Sequence, residues 1–494
     1  MVNAEEQAAE LRQRIDSHFE WLFVRSSGRT FPLTRDEIEV SVESGKLLFS
    51  AVDDSGVGMS RIAAVGSDGG DVLLEVRTEV GSPLETIRLI PRTSARELSR
   101  NVEMARLMRA NHIGAALVEE FPAFKLARVA LSVDNGRLAQ IFARDTGGRE
   151  VALLTDVTAT MTHEAVMTSA VLWSEKLRLR RKPVNELWIA AERKQARSLQ
   201  KLIGLFNESA AARFRLFEIV NDAEAPRLKE LKTIGRRSMW REKPNKLSLP
   251  SGVEPSETAA RILALAPKNT DIIFSKQGET IRFLGLPFAR VRTVASDERA
   301  WFGVDRDRRP LNESTFPALI ELVAELDTYR SAVSANKRHE FYRASPEAWL
   351  ESILRANIRR LDANLILSPL YNQFRTSSDK IDLLAIRRDG RLVIIELKTS
   401  PDRETVYQAA DYWRKIELQR RRGELARIRA FGDMEILDKP ALVYAVAPAL
   451  SFHPDFGLFA RSLRKDLEVW RFELHENWRA AIKVLQRRSV TENS

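Results

Sequence analysis

Cysteine is absent from all 494 positions of the chain. The lack of thiols excludes disulfide bonds, thiolate metal sites and a cysteine nucleophile. Histidine is scarce as well, with six residues, and no second histidine stands at metal-ligand spacing from His453 or His475. We therefore interpret both as ordinary surface or core histidines, and the lack of cysteine fits a reducing cytoplasm.

Long apolar runs are also missing, because none approaches the roughly 18 residues that a membrane helix needs. The stretch from Val2 to Glu6 is neither basic nor apolar, so it does not have the pattern of a signal peptide. Together these two absences predict a soluble, cytoplasmic protein that makes no membrane contact.

Positive charge is in excess, with a formal net charge of +10 and a pI near 9.7. Such an excess favours polyanionic partners, since each neutralised phosphate releases counterions. A merely well-solvated surface is the alternative. The hydrophobic fraction of 44% is enough for real cores, and the length predicts three or four domains.

Turn residues and changes of pattern divide the chain into four predicted domains. The first is β-rich, the second and fourth are α/β, and the third is a basic linker followed by an α+β domain. The linker contains Trp240 and could follow a phosphate backbone and stack a base, or could simply be solvated. The predicted boundaries are 1–95, 96–222, 223–342 and 343–494.

A helix is predicted to begin at Ser345, an N-cap residue that Pro346 follows at the first helical position. Glu347 and Glu351 stand four residues apart and share one helix face. Either carboxylate could point at a metal ion, and we favour Glu347. Glutamates near a helix start also complement the helix dipole, so a purely structural role stays open.

A hairpin is predicted around Asp389-Gly390. Side chains alternate along a strand, so Glu396 and Lys398 point to the same side. Asp382 lies within reach on the neighbouring strand. The two predicted strands are Ile381–Ile386 and Leu392–Glu396.

The second strand of this hairpin is predicted to be buried on both faces, because 393–395 are all apolar. A charge in such a setting needs a partner or a metal ion. Two hard oxygen donors suit Mg²⁺, and a lysine beside a metal-bound water can orient it and stabilise charge on phosphorus. The alternative is a Lys398–Asp382 ion pair that only closes the sheet edge.

From Ser345 to Glu473 the chain resembles the PD-(D/E)xK nuclease superfamily, which has the restriction-endonuclease-like fold. Asp382 matches the aspartate of the motif, with Ile381 in place of proline, and Glu396-Leu397-Lys398 matches its (D/E)-x-K. The resemblance implies that Asp382, Glu396 and the Leu397 carbonyl ligate Mg²⁺, for which Mn²⁺ could substitute. It also implies that Lys398 assists the attacking water and that Glu347 joins the metal shell or holds a second ion.

A further likeness lies on the predicted helix after the motif. Gln408 and Tyr412 form a Q-x-x-x-Y pattern that resembles the element of RecB-type nucleases. The resemblance implies that these two side chains position the DNA backbone or the active-site lysine. An ordinary amphipathic helix is the alternative.

An internal repeat is suggested because the order of elements in 96–222 returns in the C-terminal third. The alignment puts Ala139 on Asp382, Leu154 on Glu396 and Asp156 on Lys398. If the copies are related, the first has lost every catalytic group and is a degenerate duplicate, kept for its shape or for DNA contact. Chance likeness between two α/β segments is the alternative.

The expected architecture is therefore α/β, with a restriction-endonuclease-like C-terminal domain and a degenerate second copy of it. A β-rich N-terminal domain and an α+β middle domain complete the chain. The resemblance implies a Mg²⁺-dependent deoxyribonuclease of DNA repair or genome defence, with DNA as its partner. A second copy of the chain or a regulatory protein is the further partner that the sequence leaves open. The rival hypothesis is an inactive DNA-binding or scaffold protein that keeps the nuclease fold.

Overall fold

The computed structural model describes residues 4–26, 28–53, 56–77, 82–92, 95–132, 136–221, 226–241, 254–275, 278–294, 297–305, 308–368 and 382–491. These described residues form a mixed α/β structure with four sheets. The chain divides into two compact units, Met1–Ile203 with Ala211–Ile234, and Gly204–Ala210 with Gly235–Ser494. Within the described ranges no helix is both long and apolar enough to cross a membrane.

The first unit opens with a seven-stranded antiparallel sheet in the order β2-β1-β7-β6-β5-β4-β3. Alternate residues of β6 are buried, as expected for a strand with one face on a core. A helix, α1, covers that face with Ala8, Leu11 and Ile15. The elements are α1 (Ala4–Asp16), β1 (Glu20–Arg25), β2 (Thr30–Thr34), a 3-10 helix (Arg35–Glu37), β3 (Ile38–Glu43), β4 (Lys46–Asp53), β5 (Gly56–Asp68), β6 (Asp71–Arg77) and β7 (Glu85–Pro91).

The same unit continues with a six-stranded sheet in the order β8-β9-β10-β11-β12-β13. Its last strand corrects the predicted linker, which starts at residue 223, because residues 226–231 pair antiparallel with the preceding strand. Residues 242–250 of that linker lie outside the described residues. The elements are α2 (Ala95–Glu120), β8 (Phe124–Leu131), β9 (Leu138–Asp145), β10 (Glu150–Asp156), α3 (His163–Arg178), β11 (Leu187–Glu192), α4 (Arg193–Ile203), β12 (Phe214–Asn221) and β13 (Pro226–Leu231). A short helix, α5 (Glu208–Ala211), lies between α4 and β12 in sequence, and its residues 208–210 belong to the second unit.

The second unit contains a five-stranded antiparallel sheet that packs on α7 and α8. Apolar side chains alternate with polar ones along the strands, so one face of the sheet is apolar and the other is not. The elements are α6 (Arg236–Met239), α7 (Glu257–Leu263), β14 (Thr270–Ser275), β15 (Gly278–Phe283), β16 (Leu286–Val294), β17 (Asp297–Phe302), β18 (Arg309–Pro310), α8 (Phe316–Tyr329) and α9 (Glu340–Arg343).

A second six-stranded sheet completes this unit, in the order β19-β20-β21-β22-β23-β24. The central strand β21 is buried along its whole length, as its apolar run predicts. The elements are α10 (Pro346–Ala356), a 3-10 helix (Ile358–Arg360), β19 (Leu365–Leu367), β20 (Leu383–Arg387), β21 (Leu392–Leu397), α11 (Thr405–Arg421), α12 (Glu424–Arg427), β22 (Leu442–Pro448), a 3-10 helix (Ala449–Ser451), α13 (Phe456–Arg461), β23 (Val469–Leu474) and β24 (Val484–Ser489).

The two six-stranded sheets have the same topology. In both, the first three strands are antiparallel neighbours, the third, fourth and fifth run parallel, and the sixth returns antiparallel. A helix follows the hairpin in each sheet, α3 in the first and α11 in the second. The sheet topology is therefore repeated within one chain.

The hairpin turns align the two copies residue by residue. Gly148 N donates to Asp145 O in the first copy, and Gly390 N donates to Arg387 O in the second, both at 2.9–3.1 Å. Both glycines have positive φ, at 81° and 84°, which favours glycine at that turn position. Counting back from these turns corrects the sequence alignment, because Gln140 rather than Ala139 occupies the position of Asp382.

A buried arginine connects the five-stranded sheet to the start of α10. The Arg330 side chain is 0% exposed and lies 4.7 Å from the Trp349 ring centre. Burial lowers its pKa to about 9, with the positive charges of Arg479 and Arg282 contributing. Its guanidinium donates to the backbone carbonyls of Phe283, Leu284, Phe341, Ala344 and Ser345 at 2.7–3.4 Å.

Replacing Arg330 with leucine is expected to lower the free energy of unfolding by about 3 kcal/mol or more, because several buried carbonyls lose their donor. Urea denaturation followed by tryptophan fluorescence measures the change. Arg338→Leu is the matched control, since Arg338 is exposed on the same segment. Equal stability of the two variants would contradict the proposed role of Arg330.

Candidate metal centre

The hairpin brings the two candidate carboxylates together at the end of β21. Leu383 pairs with Ile395, so Asp382, one residue earlier, lies across from Glu396, one residue later. Asp382 Oδ2 accepts a hydrogen bond of 2.8 Å from Leu397 N. The predicted start of this strand at Ile381 lies outside the described residues.

The third member of the motif faces the same side. Lys398 Nζ lies 3.3 Å from Glu396 Oε1, as the alternation of side chains along a strand requires. It also lies 3.1 Å from Asp402 Oδ2. Leu397, between the two motif residues, packs in the core on the other face. The structure therefore brings Asp382, Glu396 and Lys398 into one cluster.

Burial dominates the electrostatics of this cluster. It raises the pKa of Asp382 to about 7, with the charges of Glu351 and Glu347 adding to the rise and the Leu397 N–H and Lys398 opposing it. Burial and the neighbouring Asp382 also raise the pKa of Glu396 well above its ordinary range. The fold therefore holds two carboxylates where their negative charges are unfavourable.

For Lys398, neighbouring charges outweigh burial. Burial lowers the pKa of Lys398, but the negative charges of Glu396, Glu347 and Asp402 outweigh burial and leave the pKa raised. Lys398 is therefore positively charged at neutral pH. One ammonium group offsets part of the negative charge of three surrounding carboxylates.

Ser345 occupies the N-cap position of α10, as predicted, but without the capping hydrogen bond expected of a serine. Ser345 has a left-handed φ of 41° and its side chain makes no capping hydrogen bond. At this turn the Arg330 guanidinium donates hydrogen bonds to the carbonyls of Ala344 and Ser345. Pro346 does stand at the beginning of the helix, as predicted.

The two helix glutamates have different surroundings. Glu351 is 4% exposed, and its Oε1 lies 3.2 Å from Arg282 Nη1 and 3.5 Å from Arg355 Nη1. Glu347 is only half-buried, and its charge acts on Asp382, Glu396 and Lys398. Glu351 thus already has two cationic partners and acts on Asp382 alone of the three cluster residues, whereas the charge of Glu347 acts on all three.

Gln408 and Tyr412 both lie on α11 and both are half-buried. Gln408 N donates to Glu404 O at 2.9 Å, and Lys415 Nζ lies 5.7 Å from the Tyr412 ring centre. These contacts are those of an ordinary helix surface, so a role for either side chain towards DNA or Lys398 stays a prediction.

Trp240 does not have the setting of a free stacking platform. Arg421 lies over its ring at 4.4 Å, and Trp413 packs against it edge-on at 6.1 Å. Its carbonyl accepts a hydrogen bond from Arg422 at 3.3 Å. The sequence hypothesis that this residue stacks a base is therefore replaced by packing on α11.

Asp402 is the member of the cluster that sequence reasoning missed. Its Oδ2 contacts Lys398, and its Oδ1 accepts from Glu404 N at 2.8 Å, which fixes the loop before α11. The spacing of four residues from Lys398 was the available signal. Next to it, Arg403 Nε lies 3.4 Å from His453 Nε2, which puts one of the two histidines beside the same loop.

The donor set fits a hard divalent cation. Glu396 Oε2 is buried and has no hydrogen-bond partner among the described residues, so one carboxylate oxygen is desolvated and uncompensated. Asp382 adds a second carboxylate across the hairpin. Two carboxylates and a backbone carbonyl are the oxygen ligands that Mg²⁺ prefers.

Comparison with known proteins adds little to this geometry. No family model and no curated protein matches the chain. Among solved structures, the apo form of EndoMS is 14% identical, over 44% of this chain and 95% of that one, with a TM-score of 0.16. A repair endonuclease from Pyrococcus abyssi is 13% identical, over 40% of this chain and 91% of that one, with a TM-score of 0.14.

Asp382→Asn is expected to raise the melting temperature of the metal-free protein at pH 8. The fold raises the pKa of Asp382 from its ordinary value of 3.8 to about 7, so wild-type stability falls as pH rises between these values and stays low above them. The asparagine variant does not lose stability in this way, so the difference between its melting temperature and that of the wild type shrinks as pH falls from 7 to 5. Thermal unfolding in EDTA between pH 5 and pH 8 measures the two melting temperatures.

The matched control for this experiment is Asp433→Asn, which changes an exposed aspartate in the same unit. Its melting temperature should follow that of the wild type at every pH. A stabilisation of Asp382→Asn that does not depend on pH would contradict a charge-based cause.

Proposed function

We propose that the protein is a Mg²⁺-dependent nuclease of the PD-(D/E)xK type that hydrolyses phosphodiester bonds of DNA. The observation that carries the proposal is the convergence of Asp382, Glu396 and Lys398 at one buried strand end, where Glu396 Oε2 has no hydrogen-bond partner among the residues that the structure describes. Such an arrangement is costly unless a cation compensates it. The alternative, an ion pair between Lys398 and Asp382 that only closes the sheet edge, does not account for the second carboxylate, Glu396.

Each residue has a role in this proposal. Asp382, Glu396 and the Leu397 carbonyl would hold Mg²⁺, with Glu347 in its outer shell, and Mn²⁺ would substitute. The bound ion supplies Lewis-acid polarisation and a more acidic water. Lys398 stays protonated between Glu396 and Asp402, so it orients the attacking water and stabilises negative charge on the phosphate. Gln408 and Tyr412 would position the DNA backbone.

DNA as the substrate is supported by a basic face in the second unit. Arg290, Arg292 and Trp301 share one side of the β16–β17 pair, because Arg290 pairs with Trp301 and Arg292 with Arg299. With Arg308 they border a cleft of about 730 Å³ that also contains Asp305 and reaches Ser345 at the start of α10. The cleft therefore adjoins the helix that carries Glu347.

The arginines of this face differ from the other charged residues of the sheet. Burial and the positive charges of Arg292 and Arg308 lower the pKa of Arg290, and its Nε has no hydrogen-bond partner in the described part of the chain. Two acids of the sheet, Glu279 and Glu298, are instead engaged by the start of α7. In the cleft lining, Arg290, Arg292 and Arg308 outnumber Asp305, which suits an anionic strand, with Trp301 available to a base.

Lys398→Ala is expected to reduce cleavage to background, because the variant loses the cation beside the reacting phosphate. Plasmid and linear DNA, each single- and double-stranded, are incubated with protein and Mg²⁺ or Mn²⁺, and products are resolved on gels. Lys439→Ala is the control, since Lys439 is an exposed lysine of the same unit. EDTA should abolish the wild-type activity.

The same assay separates the nuclease from its rival. Tight DNA binding without cleavage by either the wild type or Lys398→Ala would favour a binding or scaffold protein that keeps the fold. The repeated sheet topology supports this rival, since the first copy keeps the topology without the motif residues. Metal-dependent cleavage lost only in Lys398→Ala supports the nuclease.

Trp301→Ala and Arg292→Gln are expected to weaken DNA binding in different ways. Loss of one stacked base costs about 1–3 kcal/mol, whereas loss of one phosphate contact reduces the salt dependence of the affinity by about one counterion. Fluorescence anisotropy over a range of salt concentrations measures both, in a Lys398→Ala background that prevents cleavage. Arg338→Gln is the control, and unchanged binding by both test variants would exclude this face.

A further inference from the structure

A cleft of about 920 Å³, which we call the first-unit cleft, lies at the carboxyl ends of β11 and β12. These strands run parallel and end at Glu192 and Asn221, both of which line the cleft. Side chains of α2 and of the seven-stranded sheet form its other walls. Ligands of open α/β sheets bind outside the carboxyl ends of the strands, and small-molecule sites have volumes of about 300–1,000 Å³. Position and size therefore both suit a small ligand.

A polar network fixes one wall of the first-unit cleft. Arg109 of α2 is 6% exposed, and its Nη2 donates to Glu192 Oε1 at 2.8 Å and to Asn221 Oδ1 at 3.0 Å. Asn221 Nδ2 in turn donates to Glu192 Oε2 at 3.2 Å. Because each of these groups holds the other two, this wall is formed before any ligand arrives.

The charge of Arg25, at the end of β1, is only partly compensated. Its Nε has no hydrogen-bond partner among the described residues, and its Nη1 lies 3.7 Å from Glu85 Oε2, beyond hydrogen-bond length. The side chain is 24% exposed, so the guanidinium can be reached by a ligand. The turn after Arg25 is fixed in place, since a Cβ on Gly28 would lie 2.2 Å from Val157 O. A guanidinium in this setting suits an anion with several oxygen acceptors, such as a phosphate.

The charges that line the cleft are of both signs. Four are arginines and three are acids: Arg25, Arg29, Arg88 and Arg109 with Asp71, Glu85 and Glu192. Asp71 contacts Arg88, and Glu192 belongs to the network with Arg109. Burial raises the pKa of the third acid, Glu85, against the charges of Arg25 and Arg29. Three acids would repel a continuous polyanionic strand, whereas a compact anion can bind beside the arginines.

One wall of the cleft is apolar and exposed. Met104 and Met108 lie four residues apart on α2 and therefore on one helix face, and Leu84 also lines the cleft. Their side chains are 52%, 54% and 48% exposed. Methionine side chains adapt their shape and make favourable contacts between sulfur and aromatic rings. This wall therefore suits the face of a flat aromatic group.

From this combination we infer that the first-unit cleft binds a small phosphorylated ligand with a flat aromatic body, which is the chemistry of a nucleoside phosphate. The phosphate would contact Arg25, and the base would lie against Met104 and Met108. The inference goes beyond the proposed nuclease function and does not depend on it. Every residue that it uses belongs to the first unit, whereas the candidate metal centre belongs to the second.

The test is isothermal titration calorimetry of the full-length protein with ATP, GTP, dATP and dTTP, and with adenosine and inorganic phosphate as partial ligands. EDTA is present throughout, so the candidate metal centre holds no divalent cation that could bind the phosphates. At least one nucleotide should bind with one-to-one stoichiometry and about tenfold or more tighter than either partial ligand, because only the whole nucleotide uses both walls. No saturable binding by any nucleotide, or equal binding of inorganic phosphate, would overturn the inference.

Two variants locate the binding. Arg25→Gln and Met108→Ala are each expected to weaken nucleotide binding about tenfold, since one removes the contact to the phosphate and the other the contact to the base. Met108 is exposed, so its substitution leaves the core intact even if Arg25→Gln unfolds the protein. The matched controls are Arg61→Gln and Met59→Ala, which change exposed residues of the seven-stranded sheet outside the cleft.

The controls should bind nucleotide like the wild type. Unchanged binding in both test variants, or equal losses in the test variants and the controls, would place the nucleotide elsewhere and contradict the inference. Single-stranded and duplex oligonucleotides are titrated in parallel. An oligonucleotide that binds tighter than every nucleotide and loses affinity in Arg25→Gln would assign the cleft to a DNA strand instead. Cleavage by the wild type and Lys398→Ala is scored separately, so failure of this inference is distinguishable from failure of the nuclease function.

Discussion

Two carboxylates share the buried end of one strand, and one ammonium group lies beside them. Asp382 and Glu396 face each other across the hairpin, and Lys398 contacts Glu396. Burial raises the pKa of both acids, so the folded chain tolerates an arrangement that lowers its own stability. The rest of the second unit can be understood as the support that keeps these charges in place, because a loosely packed strand end would let them reach water.

One of these supports lies outside the sheet that carries the cluster. Arg330 binds the carbonyls at the start of α10, and Arg282 links Asp271 of β14 to Glu351 of the same helix. Gly285 lets the backbones approach, since a Cβ there would lie 1.9 Å from Ala348 O. The five-stranded sheet thereby sets the position of Glu347 relative to the hairpin, and its basic face adjoins the same helix start.

The first copy shows that the sheet topology does not depend on the charged cluster. At the corresponding strand end, Leu154 packs in the core and Asp156 receives four hydrogen bonds from its own loop and α4. A buried acid that is fully hydrogen-bonded stabilises its surroundings, whereas one with an unpaired oxygen does not. The contrast between the copies therefore separates what the fold requires from what the proposed chemistry requires.

The sequence by itself determined the hairpin, the turn glycine, the shared side of Glu396 and Lys398 and the repeat of element order, because strand alternation and turn chemistry are local rules. It missed β13 and the contact of Asp402 with Lys398, and it misaligned Ala139 by one residue. Only the tertiary structure decided that Glu351 is occupied by Arg282 while Glu347 borders the cluster, since two glutamates on one helix face are equivalent until another sheet packs against them. Partners distant in sequence, such as Arg330 and the five carbonyls it binds, leave no periodic signal that a linear pattern could reveal.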